Sequence, residues 1–350
     1  MLERERETFT AEELVVVLSH FDLGVVESLT DFPRGSSQSP KMGVVTAKGK
    51  FLLKRRAVRR SNIERVRFAH RVQLHLEKSG FPVARLQRTK ERAETVVAIR
   101  GRVYELFEFV PGQPYRKTTD EAHEAGVVLA RYHQAMEGFT VPALLPVPTG
   151  DYHDHPALRK GVEAMEEKLV SHDSLAGDFA ALAALLTFMR DAYDSAAVAV
   201  RKAGFGTWPQ CIVHGDWHPG NLLFRHEKVA AVIDFDSARL SRRVIDLANG
   251  ALQFSMVGGG DPAGWPENLD RERYLAFLAG YAEVQPIRGE ELLCLPDLMI
   301  EAFIAECVPA IQETGSVGRW PGYRVLQMVR RKINWIHANR PSLTPAPPPP

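Results

Sequence analysis

The stretch Cys211-Ile212-Val213-His214-Gly215-Asp216-Trp217-His218-Pro219-Gly220-Asn221-Leu222-Leu223-Phe224, followed after a short basic turn by Val229-Ala230-Ala231-Val232-Ile233-Asp234-Phe235-Asp236, decides how this chain reads. Both segments set polar groups beside apolar strands, and strands on either side of a loop hold it rigid. Rigidly held carboxylates suit phosphoryl transfer, whose transition state needs an aligned nucleophile and neutralised charge but little covalent help. That chemistry uses an aspartate to accept the hydroxyl proton, an asparagine five positions on, and a second aspartate on the following hairpin. Asp216, Asn221 and Asp234 stand in that order and at that spacing. A hydrolytic zinc site made of the alternating His214, Asp216 and His218 is the competing reading. It leaves Asn221 and the Ile233-Asp234-Phe235-Asp236 run without a role, and it sets Pro219 in the strand that would carry the ligands. His214 reads instead as a buried, hydrogen-bonded organiser of the loop, and Trp217 as packing.

Outward from this core, 350 residues with 45% hydrophobic content are enough for two lobes or two domains. A formal charge of +1 supplies no global field toward nucleic acid or anionic lipid. Cys211, Cys294 and Cys307 are odd in number and widely spaced, which fits neither a disulfide framework nor a zinc cage. A cytoplasmic location is expected, because Met1 to Glu7 alternates charges and no apolar run reaches membrane-span length. Thr10 with Glu13 forms a capping box that opens a leading helix over 11–20. Strand-like runs follow at 42–46, 51–54, 95–99 and 103–109, interrupted by a helix over 62–78. Pro111, Gly112 and Pro114 mark a boundary, giving lobes 1–110 and 111–340. The second lobe is mainly helical: a capping box at Thr118 and Glu121, long patterns at 157–203, 271–283 and 289–312, and a last helix ending near Asn339. The proline-rich tail 341–350 is expected to be disordered. The fold class is therefore α+β.

His214-Gly215-Asp216 through Asn221, with Ile233-Asp234-Phe235-Asp236, resembles the aminoglycoside phosphotransferase, choline kinase and homoserine kinase superfamily, which has the two-lobe protein-kinase-like fold. The resemblance implies that Asp216 is the catalytic base. It also implies that Asn221 and Asp234 hold Mg2+ against the triphosphate of ATP, with GTP possible. Asp246, in Val244-Ile245-Asp246-Leu247-Ala248, matches the Asp-Leu-Ala segment of the family and reads as the cap of the next helix. Leu129-Ala130-Arg131-Tyr132-His133 is similar to the helix after the family's hinge. The lobe 1–110 would bind nucleotide, and 111–340 would carry catalysis and the acceptor.

In Phe51-Leu52-Leu53-Lys54 the alternation turns Lys54 inward, where it can reach nucleotide phosphates as the lysine of kinase strand three does. Lys48, Lys50, Arg55 and Arg56 read as solvated charges. Glu64, near the start of the helix, is the expected partner of Lys54. Matching the helix by its end instead puts Ala69 and His70 where aminoglycoside phosphotransferases carry that glutamate. Arg34-Gly35-Ser36-Ser37-Gln38-Ser39 is either a phosphate-covering loop contributing Ser36 and Ser37, or a serine-rich surface turn. Leu106 to Gly112 resembles the hinge, where the Glu108 carbonyl and the Val110 amide would pair with the purine.

Gly215 occupies the place where protein kinases carry an arginine, and only Ser237 to Arg243 separate the Asp234 segment from that of Asp246. This leaves no room for a peptide platform. The extra helices at 157–203 and 289–312 would build a pocket for a small hydroxyl acceptor such as an aminoglycoside, an amino alcohol or a sugar. Glu301 and Glu306 could receive its amine, or could pair with Arg319 or Arg324, and His218 and Asp236 are further acceptor-side candidates. A catalytically silent relative of the spore-coat kinase type, or a kinase acting on proteins, is the alternative. Lys54, Asp216, Asn221 and Asp234 together favour an active enzyme.

Overall fold

A computed structural model describes residues 6–33, 38–141, 145–171 and 178–344. The chain forms two compact units, each assembled from separated stretches: Met1–Pro114, Gly138–Pro148 and Asn221–Ala238 in the first, and Tyr115–Glu137, Thr149–Gly220 and Arg239–Pro350 in the second.

In the first unit, α1 (Ala11–Leu18) starts at Thr10, whose hydroxyl accepts from the Glu13 amide while the Glu13 carboxylate accepts from the Thr10 amide. Strands β1 (Val26–Asp31), β2 (Lys41–Thr46), β3 (Gly49–Arg55), β4 (Val97–Ile99) and β5 (Arg102–Glu108) form an antiparallel sheet in the order β1-β2-β3-β5-β4. Leu14 and Val17 of α1 pack with Val44, Leu53, Tyr104 and Leu106 of the sheet in one apolar cluster. Burying such side chains stabilises by about 1.5–3 kcal/mol each. Helix α2 (Ile63–Lys78) is capped by Asn62, which accepts from the Arg65 amide, and it stops at Gly80, whose φ of +75° is left-handed.

The remaining helices belong to the second unit: α3 (Thr119–Met136), α4 (Pro156–Val170), α5 (Phe179–Lys202), α6 (Val244–Ser255), α7 (Arg271–Val284), α8 (Gly289–Thr314) and α9 (Gly322–Leu343). Two short strands, β6 (Cys211–Val213) and β9 (Arg239–Ser241), pair antiparallel in it. The hairpin β7 (Leu222–Arg225) and β8 (Lys228–Val232) is part of the first unit. Its turn residues His226 and Glu227 both take positive φ, as a tight hairpin turn requires.

Several expectations change. The single 157–203 pattern is two helices, and β1 supplies the strand before residue 34 to which no sequence run was assigned. The last helix runs past Asn339 through Pro341 to Leu343. The buried Tyr274 hydroxyl donates to the Leu343 carbonyl, so tertiary packing holds the final turn. No described helix is long and apolar enough to cross a membrane, and the three cysteines are free thiols.

Candidate active site

The register of the first unit sets its charges. Lys54 on β3 stands directly opposite Glu105 on β5, so their side chains share one face of the sheet. The Lys54 ammonium lies 3.9 Å from Glu105, 3.6 Å from Asp236 and 4.0 Å from Asp234. Burial alone would lower its pKa, but these three carboxylates outweigh burial and raise it. Glu105 is 1% exposed. It accepts from Arg56 at 2.7 and 2.8 Å and bonds the His70 ring at 2.6 Å. Burial would raise its carboxyl, but Lys54, Arg56 and His70 hold it well below the usual range. Asp236 is bound by Arg56 as well as facing Lys54, and its carbonyl accepts from Arg65. Its carboxylate therefore belongs to this cation network.

Arg55 and Arg56 are not solvated, as the sequence reading had them. Both are buried: Arg55 pairs with Glu7 and Glu13, and Arg56 with Glu105 and Asp236. Buried cations are stable only with such partners. Glu64 is exposed in the first turn of α2, and the carboxylates around Lys54 come from β5 and from the segment after β8. The reason is geometric: Lys54 faces its cross-strand neighbour, while the buried side of α2 presents His70.

Asp234 follows β8 with φ +63°, a left-handed conformation uncommon for a residue with a Cβ. Its side chain is 37% exposed. Asn221 starts the β7 side of the hairpin, and its carbonyl accepts from the Ile233 amide. Ser36 and Ser37 lie outside the described residues. At the segment read as the hinge, the Glu108 amide donates to the Arg85 carbonyl, and Gln113 and Phe224 exchange backbone hydrogen bonds. Glu108 is exposed and Val110 half-buried.

In the second unit the loop after β6 is clamped by Asp246. Its carboxylate accepts from the His214 and Gly215 amides at 2.7 Å each and meets His133 at 3.2 Å. Asp246 thus holds the loop rather than capping α6. Burial would raise its pKa, but His133, His214 and the Gly215 amide pull it below the usual range. The His214 ring packs edge-on against Trp217 and Tyr132. Asp216 projects from this clamped loop, with His218 at 3.6 Å. The His218 Nδ1 accepts from the Gly220 amide, which leaves Nε2 toward Asp216. Among the described residues no cluster of three or more His, Cys, Asp or Glu side chains is placed to hold a metal ion.

A cavity of about 190 Å³ in the second unit is lined by Asp216, Arg239, Asn249 and Glu306, over an apolar floor that includes Ile245 and Ala302. The Glu306 side chain is exposed to water, although protein atoms crowd around its carboxyl. Burial, and then the charge of Asp216, push its pKa to about 7 against the hydrogen bond from Gln253 and the pull of His218. Glu301 is elsewhere: fully buried, it bonds the His153 ring and the Asp154 amide. Arg319 stacks on Trp320 and Arg324 pairs with Asp261. Sequence reasoning missed Glu105, Arg56, Arg239 and Asn249. Glu105 left one signal, a carboxylate inside the buried run Val103-Tyr104-Glu105-Leu106.

Residues 28–291 match the model of the phosphotransferase enzyme family. A homoserine kinase of Phenylobacterium zucineum is 26% identical over 295 residues, covering 83% of this chain and 81% of that protein. One from Caulobacter sp. strain K31 is 27% identical over 312 residues, 88% of each chain. Among solved structures, a microcompartment-associated aminopropanol kinase superposes with a TM-score of 0.68 at 16% identity, covering 94% of this chain and 97% of that one. An amicoumacin kinase in complex with AMP-PNP and Ca2+ superposes with a TM-score of 0.66 at 14% identity, over 96% of each. These structural likenesses establish the α+β protein-kinase-like fold. The chain belongs to the phosphotransferase enzyme family and is an ATP-dependent phosphotransferase with a hydroxyl group as acceptor.

Proposed function

We propose that this enzyme transfers the γ-phosphoryl group of ATP to a small hydroxy-amine or hydroxy-amino acid, with homoserine the first candidate. The observation that carries the reading is a cavity lined by Asp216, Glu306 and Arg239. In this reading Asp216 takes the proton of the acceptor hydroxyl as its oxygen attacks the γ-phosphorus and the bond to ADP breaks. Glu306 receives the ammonium group, and Arg239 receives a carboxylate where the acceptor carries one. At about 190 Å³ the cavity is smaller than the roughly 300–1,000 Å³ of pockets for drug-sized ligands, which favours a small acceptor over a multi-ring antibiotic. The homoserine kinases matched along most of their length support the same class.

Asn221 and Asp234 would hold magnesium. An amide oxygen and a carboxylate are the hard donors this ion takes, and Mg2+ is commonly bound by one or two carboxylates plus substrate phosphates rather than by a cage of protein groups. The Asp234 carboxylate is suited to this, being partly exposed and 4.0 Å from Lys54, too far for a hydrogen bond. When bound, the ion neutralises charge on the phosphates. Lys54 supplies the positive charge from β3.

The test is ADP release with ATP or GTP and magnesium against homoserine, 1-amino-2-propanol and an aminoglycoside. Homoserine is expected to be turned over best, and Asp216→Asn is expected to lose about 10²–10⁴-fold. Equal turnover by Asp216→Asn would remove the base assignment. A preference for the aminoglycoside would overturn the acceptor class. No stabilisation by either nucleotide in a thermal-shift assay would mark a catalytically silent protein.

A further inference from the structure

We propose that Glu105 of β5 is the carboxylate that positions Lys54 for the nucleotide phosphates, and that His70 of α2 supports Glu105 from the helix. The inference rests on Lys54 acting on those phosphates.

Three observations carry it. Cross-strand register puts Glu105 opposite Lys54, so the sheet itself sets the two side chains next to each other on one face. Glu105 is 1% and His70 3% exposed, and the chain of contacts is continuous: the Thr95 hydroxyl meets His70 Nδ1 at 2.8 Å, and His70 Nε2 meets Glu105 Oε1 at 2.6 Å. The other carboxylate oxygen, Oε2, faces Lys54. Third, Lys54 is held by charge at 3.6 to 4.0 Å from its three carboxylates, beyond hydrogen-bond reach. Its N–H donors are therefore aimed by the field of the cluster without being tied to it, as a lysine that must take a phosphate oxygen requires. Helix α2 contributes to this arrangement through an imidazole. Arg56 donates from the single nitrogen Nη1 to both Glu105 oxygens and so restrains the carboxylate.

The test compares Lys54→Ala, Glu105→Gln, Glu105→Asp and His70→Gln in steady-state kinetics with ATP, magnesium and the acceptor turned over best, alongside melting temperatures. Glu105→Gln is expected to raise the KM for ATP about tenfold, the scale of one charge-assisted contact, and to leave the KM for the acceptor unchanged. His70→Gln is expected to shift the KM for ATP in the same direction by less, and Glu105→Asp to recover part of the loss. A structural role alone would lower the melting temperature and leave the KM for ATP untouched in the folded enzyme, and that result overturns the proposal. Should Glu105→Gln be insoluble, Glu105→Asp and His70→Gln carry the same comparison. If Lys54→Ala itself leaves ATP kinetics unchanged, the fault lies with the role given to Lys54. An impaired Lys54→Ala beside an unimpaired Glu105→Gln places the fault with the role given to Glu105.

Discussion

At Asp234 the backbone sits at φ +63°, a conformation that costs of order 1–3 kcal/mol for a residue other than glycine and persists where the surroundings over-determine it. Asparagine tolerates the same conformation, so Asp234→Asn separates backbone from charge. The variant is expected to melt within a few degrees of the parent and to lose activity at least a hundredfold, read by thermal shift and ADP release. At Glu306 the proton matters instead. With its pKa near 7, this carboxyl is neutral in mild acid and becomes an anion as pH rises through neutrality. An ammonium-bearing acceptor should bind better across that step, so its KM falls between pH 6 and pH 8. Glu306→Gln should flatten the profile and raise the KM at pH 8. A profile unchanged by the substitution would detach Glu306 from the acceptor. Asp216, Asn221 and Asp234 could be nominated from the sequence because their spacing along one loop and hairpin is local. Glu105 and Arg239 could not, because the groups they face lie far along the chain.

Close approach of elements governs the next scale. A Cβ on Gly126 of α3 would stand 2.0 Å from the Phe277 carbonyl oxygen of α7, and one on Gly280 of α7 would stand 2.0 Å from the His123 carbonyl oxygen of α3. Neither oxygen can yield without moving a helix. Gly126→Ala is therefore expected to destabilise by about 1–3 kcal/mol, the range for overpacking, visible as a lower melting temperature. The same helix carries His133, one of the contacts of Asp246, which clamps the loop of Asp216. Gly126→Ala should therefore lower kcat along with stability. The helix over 62–78 was readable from its apolar face, and it spans Ile63–Lys78. Strand β1 was not, since all six of its residues are exposed and no burial pattern marks it. The 157–203 pattern concealed a break because helical periodicity continues on both sides of it.

Across the whole molecule, the depressed carboxylates set the response to acid. Glu105, Asp236 and Asp246 all have folded pKa values below the ordinary ones, each held down by cations or donors that overcome burial. Such groups bind more protons unfolded than folded, so stability rises with pH. Their contribution is complete above the ordinary carboxylate range, near pH 4 to 4.5, and is lost as pH falls below it toward their folded values. Glu301 and Glu306 act in the opposite sense. Their folded pKa values are raised by burial, so the stability their protonated forms add is lost as pH climbs from the ordinary range toward neutrality. A melting-temperature profile should accordingly fall steeply below about pH 4.5 and decline gently from there toward neutrality. Glu105→Gln tests the acid side, because a side chain that cannot titrate removes its share of the slope. The variant is expected to be less stable than the parent at pH 7, where the Glu105 anion pairs with Lys54 and Arg56, and to approach the parent as pH drops to 3. Parallel profiles for parent and variant from pH 7 to pH 3 would show that the buried carboxylate does not carry the acid transition.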